Sequence, residues 1–167
     1  MLVKIRLILI VAAIVLFAYD AKAQKVIGDD ILTGGGSKLS VNLVSGNFYL
    51  GWLNPDGARQ LSNEFEMIFE VCGAKKQKFS AIGSFDWKDR TVFITNNRWY
   101  YDGYNNNSWQ MIPGDGNYFA KNDCKIKDSN IAKAYFKLVP GTVFASPNAK
   151  EGFYTFEVTL EVQDTSL

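Results

Sequence analysis

Tyr154-Thr155-Phe156-Glu157-Val158-Thr159-Leu160-Glu161-Val162 carries an apolar residue at every second position and a polar one between each pair. Side chains of a β-strand alternate across the sheet with a period of two. This stretch therefore reads as a strand with one face on a core and the other in water. The same alternation recurs along the chain. Glu64–Cys72 sets Phe65, Met67, Phe69 and Val71 against Glu64, Glu66 and Glu70. Lys78–Trp87 sets Phe79, Ala81, Phe85 and Trp87 against Ser80, Ser84 and Asp86, and Ile131–Val139 sets Ala132, Ala134, Phe136 and Leu138 against Lys133 and Lys137. Weaker strands are read at Leu39–Leu43 before the turn Ser45-Gly46-Asn47, and at Phe48–Trp52 before Asn54-Pro55-Asp56-Gly57. Arg90–Thr95 and Trp99–Tyr104 predict a hairpin across Asn96-Asn97. Helical periodicity is nowhere convincing, although Lys121–Ala134 is ambiguous and admits a helix pair. A series of amphipathic strands predicts antiparallel sheets that each bury one face, which a β-sandwich over residues 37–167 satisfies most economically.

Composition narrows the chemistry. The 167 residues are 47% hydrophobic and 14% aromatic, enough for a packed core, and contain no histidine. That excludes Ser-His-Asp and Cys-His hydrolases and any His-ligated zinc or haem. A formal charge of +1 gives no basic excess for binding nucleic acid. No metal and no cofactor is expected. Asp115-Gly116-Asn117 offers calcium-type oxygens, but no complete coordinating loop follows, and a plain turn is the simpler reading. Paired carboxylates such as Asp86 and Asp89 occur in any acidic domain of this size, so enzymatic activity is not expected. Asn106-Asn107-Ser108 fits a glycosylation sequon, relevant only to a eukaryotic secretory route.

The N-terminus reads as an export signal. Lys4 and Arg6 precede an apolar run from Leu7 to Ala18, and Ala21-Lys22-Ala23 provides the small-x-small pattern for cleavage before Gln24. The alternative is an uncleaved anchor, but the run is shorter than the ~20 residues a spanning helix needs. Residues 1–23 are thus expected to be a signal peptide, and residues 24–36 an arm ending in the hinge Gly34-Gly35-Gly36. The two cysteines, Cys72 and Cys124, form an even pair in an exported chain and are expected to be disulfide-bonded.

Two features point to binding. Val26, Ile27, Ile31 and Leu32 make the arm unusually apolar for a terminal segment, either as an edge strand of its own sandwich or as a strand donated to another subunit. Nine aromatic residues fall between Trp87 and Phe119. Of these, Trp99, Tyr101, Tyr104 and Trp109, with Arg98, are the candidate receptor contacts, because sugar rings stack on aromatic faces while polar neighbours bond their hydroxyls. Sheets also favour aromatic residues, so part of the cluster serves the core.

Lys127-Asp128, Val139-Pro140-Gly141-Thr142-Val143 and Phe153-Tyr154-Thr155-Phe156 resemble segments of chaperone–usher fimbrial subunits, most closely those of the Psa/Myf thin-fimbria type. The resemblance implies an incomplete immunoglobulin-like sandwich. Its missing strand would come first from a periplasmic chaperone and then from the N-terminal arm of a neighbouring subunit, with an outer-membrane usher guiding assembly of a homopolymeric fimbrium at the cell surface. Carried onto this chain, the donor residues are Val26, Ile27, Ile31 and Leu32. Tyr154, Phe156, Val158, Leu160 and Val162 would line the acceptor groove, and the aromatic cluster would give the subunit contact with a host glycan or another receptor. The arm departs from an all-apolar donor at Asp29 and Asp30. The alternative reading is a self-complete secreted β-sandwich lectin, or an exported interaction domain, using the aromatic rim.

Overall fold

The computed structural model of the chain describes residues 2–13, 39–46, 53–54, 56–61, 65–87, 89–104, 106–127, 132–150 and 152–165. Every regular element among them is a strand: β1 Leu2–Ala13, β2 Ser40–Ser45, β3 Ala58–Gln60, β4 Met67–Cys72, β5 Lys78–Trp87, β6 Val92–Thr95, β7 Arg98–Asp102, β8 Gln110–Ile112, β9 Tyr118–Lys125, β10 Lys133–Val139, β11 Thr142–Ala145 and β12 Gly152–Asp164. All pairings are antiparallel, in the orders β1-β12-β5-β9, β2-β4-β10-β7-β8 and β3-β11-β6. The all-β sandwich read from the sequence is the observed architecture.

The shorter sheet continues the five-stranded one around a corner. Val139 of β10 pairs with Arg98 of β7, and Thr142 of β11 pairs with Thr95 of β6. Two residues on each side, Pro140-Gly141 and Asn96-Asn97, separate those pairs, so the register runs unbroken through the bend. Asn96-Asn97 is therefore a corner in one long strand and not the hairpin turn that its composition predicts. Polar side chains usually mark turns, but here Asn97 is buried and both ends of its amide are bonded. Its Nδ2 donates to Asn117 Oδ1 at 2.9 Å, and its Oδ1 accepts the Gly141 N–H at 3.2 Å. The backbone comes so close that a Cβ on Gly141 would sit 2.0 Å from Thr95 O.

Between the four- and five-stranded sheets lies an aromatic core. Phe79 and Phe119 from one sheet meet Trp99, Tyr101 and Phe136 from the other, with ring centroids 5.0 to 6.4 Å apart. Tyr101 and Phe136 are themselves 5.1 Å apart within their sheet. Phe69, Phe79, Phe85, Phe136 and Phe156 are almost completely buried, as their alternation predicts. The helix pair admitted in Lys121–Ala134 is absent among the described residues: β9 and β10 occupy that stretch on either side of residues 128–131, which lie outside them. The β9 pattern is obscured by an extra residue. Ala81 pairs with Lys121 but Phe79 with Cys124, so a bulge at Asn122-Asp123 puts the alternation out of step.

The expected disulfide is not formed, and both thiols are free. Cys72 ends β4 in the phase opposite to the buried Met67, Phe69 and Val71, and its thiol donates to Glu70 Oε1 at 3.1 Å. Cys124 is buried in the other sheet, its Sγ 3.7 Å from Lys121 O. Each thiol thus has its own local partner, one on an outer sheet face and one in the core. The arm, with Val26, Ile27, Ile31 and Leu32, the glycine hinge and the strand read at Phe48–Trp52 lie outside the described residues.

Candidate functional site

The C-terminal strand holds the first candidate site. In β12, Tyr154, Phe156, Val158, Leu160 and Val162 are all buried, and Phe156 stacks on Phe85 at 5.6 Å. Both ends of the strand are anchored. Tyr154 donates its hydroxyl hydrogen to Lys150 O at 2.6 Å, and Gln77 Nε2 donates to Asp164 Oδ2 at 2.5 Å. On one side β12 pairs with β5 from Phe156↔Trp87 to Asp164↔Phe79 without interruption. On the other it pairs with β1 through twelve consecutive residues, from Leu2↔Gln163 to Ala13↔Gly152. The strand covering this edge of β12 thus comes from residues that read in sequence as the export signal.

The aromatic rim is the second. Trp99 and Tyr101, expected to face a receptor, are core residues at 1% and 4% exposure. Trp99 Nε1 donates to Gly116 O at 3.1 Å, and Tyr101 donates its hydroxyl hydrogen to Lys125 O at 2.6 Å while accepting the Lys125 N–H. Burial raises the Tyr101 phenol far above its ordinary value. Arg98 and Tyr104 are exposed and Trp109 is half-buried, so three of the five expected contacts reach the surface. Alternation itself explains the split: Arg98 must face water, and in a strand its phase is shared by Tyr100 and not by Trp99 or Tyr101. Tyr100 is the residue that the sequence reading missed. Lys137 Nζ stands 5.5 Å from the Tyr100 ring and 4.5 Å from that of Trp109, and pairs with Glu66 at 3.4 Å. Lys127 Nζ lies 4.6 Å from the Tyr104 ring. Such cation–ring contacts orient exposed rings at a stabilisation of ~0.5–1 kcal/mol each.

The loop carrying Tyr104 is organised by Asp102, which is buried at 2%. Its two carboxylate oxygens accept the backbone N–H groups of Tyr104 and Asn106 at 2.8 and 3.0 Å. Asn106 Oδ1 accepts the Ser108 N–H, so the sequon asparagine serves as a turn residue. Asp115, considered for calcium, spends one oxygen on the N–H groups of Asn117 and Tyr118, as a plain turn requires.

A polar cluster on the outer face of the five-stranded sheet completes the inventory. Glu70 accepts from Lys133 Nζ at 2.8 Å, from the Tyr135 hydroxyl at 3.2 Å and from the Cys72 thiol. Burial would raise the Glu70 carboxyl, but these donors and the Lys133 charge together hold it below its usual value. Burial, and then the hydrogen bond to Glu70 and its negative charge, push the Cys72 thiol up to about 11, and burial above all pushes Cys124 up to about 12. Neither thiol is a nucleophile at neutral pH. Relative to its ordinary value, Cys72 holds on the order of a hundredfold less thiolate. An aromatic disulfide reagent at pH 7 is therefore expected to label neither cysteine in the folded chain on the timescale of a free thiol, and both after unfolding. Finding no thiol after unfolding would show that the two are bridged.

No protein-family model, no curated protein and no solved structure matches this chain.

Proposed function

We propose that this chain is a structural and adhesive subunit of a bacterial surface fibre, exported through the periplasm and joined to its neighbours by strand addition at β12. One observation carries the reading: the twelve-residue ladder between β1 and β12, whose outer member lies wholly within the expected leader. Cleavage before Gln24 removes β1. Twelve residues of β12, Gly152–Gln163, then present an unpaired edge, and the apolar row from Tyr154 to Val162 loses the strand beside it. Such an edge is a template for another chain and must be covered. A periplasmic chaperone, and then the Val26, Ile27, Ile31 and Leu32 arm of the next subunit, are the covering strands, and an outer-membrane usher receives the complex. The rim formed by Arg98, Tyr104 and Trp109 is the receptor face, suited to a glycan.

Light scattering on the mature protein from a periplasm tests this reading. Multimers that survive detergent and collapse only on boiling are the expected result, and deletion of Gln24–Thr33 is expected to abolish them. A stable monomer near the mature mass would overturn strand addition and favour a self-complete lectin.

A further inference from the structure

The two long sides of the four-stranded sheet are built differently. At one side, β9 carries the bulge at Asn122-Asp123 and the Lys121–Asp123 ion pair at 2.6 Å. Bulges and charges of this kind discourage further pairing. At the other, the register of β12 against β1 has no irregularity over its whole length. That register sets Val3, Ile5, Leu7, Leu9 and Val11 opposite Val162, Leu160, Val158, Phe156 and Tyr154, and Lys4 opposite Glu161. Each apolar position of the row from Tyr154 to Val162 thus has an apolar residue across from it and Glu161 has a basic one, while the buried Thr159 faces Arg6 and Glu157 faces Ile8. Directly opposed residues are the unit of sheet stabilisation.

The arm matches this pattern less well. Gln24-Lys25-Val26-Ile27-Gly28-Asp29-Asp30-Ile31-Leu32-Thr33 read at every second residue gives Val26, Gly28, Asp30 and Leu32, or Ile27, Asp29, Ile31 and Thr33. Either phase sets an aspartate against the apolar row. The leader fits β12 better than the arm does and, while attached, is present at the high effective concentration of an intramolecular segment.

We infer that Leu2–Ala13 is an intramolecular plug for the β12 edge, so that removal of the leader is the step that permits assembly. This rests on the strand-addition reading above and adds its control: a subunit cannot pair with a neighbour before it has been processed. The leader then has a second role beyond export, as a placeholder strand.

The test uses the full chain with Ala21-Lys22-Ala23 exchanged for the recognition sequence of a site-specific protease, refolded and followed by light scattering before and after cutting. The uncut chain is expected to be monomeric and the cut chain to form multimers. Multimers from the uncut chain at the rate of the cut one would overturn the plug but leave strand addition standing. A cut chain that is separated from its leader fragment in urea, refolded, and then stays monomeric with an unchanged melting transition would overturn both. A second arm applies even where the uncut chain refolds poorly. Excess synthetic peptide of residues 2–13, added to the exported mature chain, is expected to suppress multimers, and the same peptide with Ile5→Asp and Leu7→Asp is not. Equal multimers with and without the unaltered peptide would overturn the plug.

Discussion

Residues 34–167, which lack both the leader and the arm, are expected to unfold at a far lower urea midpoint than the full chain. Deleting the arm as well as the leader prevents strand exchange, so the measurement isolates the pairing of β1 with β12. A twelve-residue antiparallel ladder makes roughly twelve backbone hydrogen bonds. At ~0.5 kcal/mol net for each, the low end of the usual range, their loss comes to about 6 kcal/mol. The apolar row of β12 would also lose cover, and buried side chains of its kind contribute ~1.5–3 kcal/mol apiece when fully enclosed. A domain of this size holds only ~5–15 kcal/mol in all. The shortened chain should therefore be largely unfolded without a partner, and peptide 2–13 should restore its transition. Equal midpoints for the two chains would mean that β1 contributes nothing to the fold, and would remove the basis for an acceptor edge.

Trp99→Ala is expected to destabilise the chain by ~3–5 kcal/mol, the usual cost of emptying a buried aromatic site. Trp99 packs 5.0 Å from Phe119 and 6.0 Å from Phe69, and its removal also strands the Gly116 carbonyl that accepts its N–H. At a few degrees per kcal/mol the melting temperature should fall by roughly 10–20 °C. The double change Tyr104→Ala with Trp109→Ala should lower melting by only a few degrees, because Tyr104 is 50% exposed, Trp109 is half-buried, and the lost lysine–ring contacts contribute ~0.5–1 kcal/mol each. If the rim binds a glycan, that double variant loses binding while staying folded. Calorimetry separates the two cases. A Trp99→Ala protein that melts like the parent would contradict the core packing.

How much was legible depends on the range of the interaction. The inward rows of β4, β5, β10 and β12 were readable, since each shows its phase in a handful of adjacent residues and no distant partner can change it. β9 was not, because the bulge shifts its phase midway. β3, β8 and β11 are three or four residues long, too short for a period to register. Within the rim, Arg98 and Trp99 are neighbours in sequence but face opposite ways, and the stripe that reaches the surface is Arg98 and Tyr100. Lys137 and Lys127, between 23 and 37 positions from the rings they touch, carry no local signal of that contact.

The sequence alone determined that this is an all-β chain with an apolar C-terminal strand, an apolar N-terminal segment and no histidine chemistry, because strand alternation and side-chain identity are local properties. Tertiary structure decided which strand lies beside which. It made Asn96-Asn97 a corner by pairing both of its flanks with a single partner, and it gave Cys72 and Cys124 separate surroundings on different sheets. It also set Leu2–Ala13 against the edge of β12. Those outcomes depend on register between segments far apart in the chain, where the energy of closing the sandwich outweighs the preference of any short stretch.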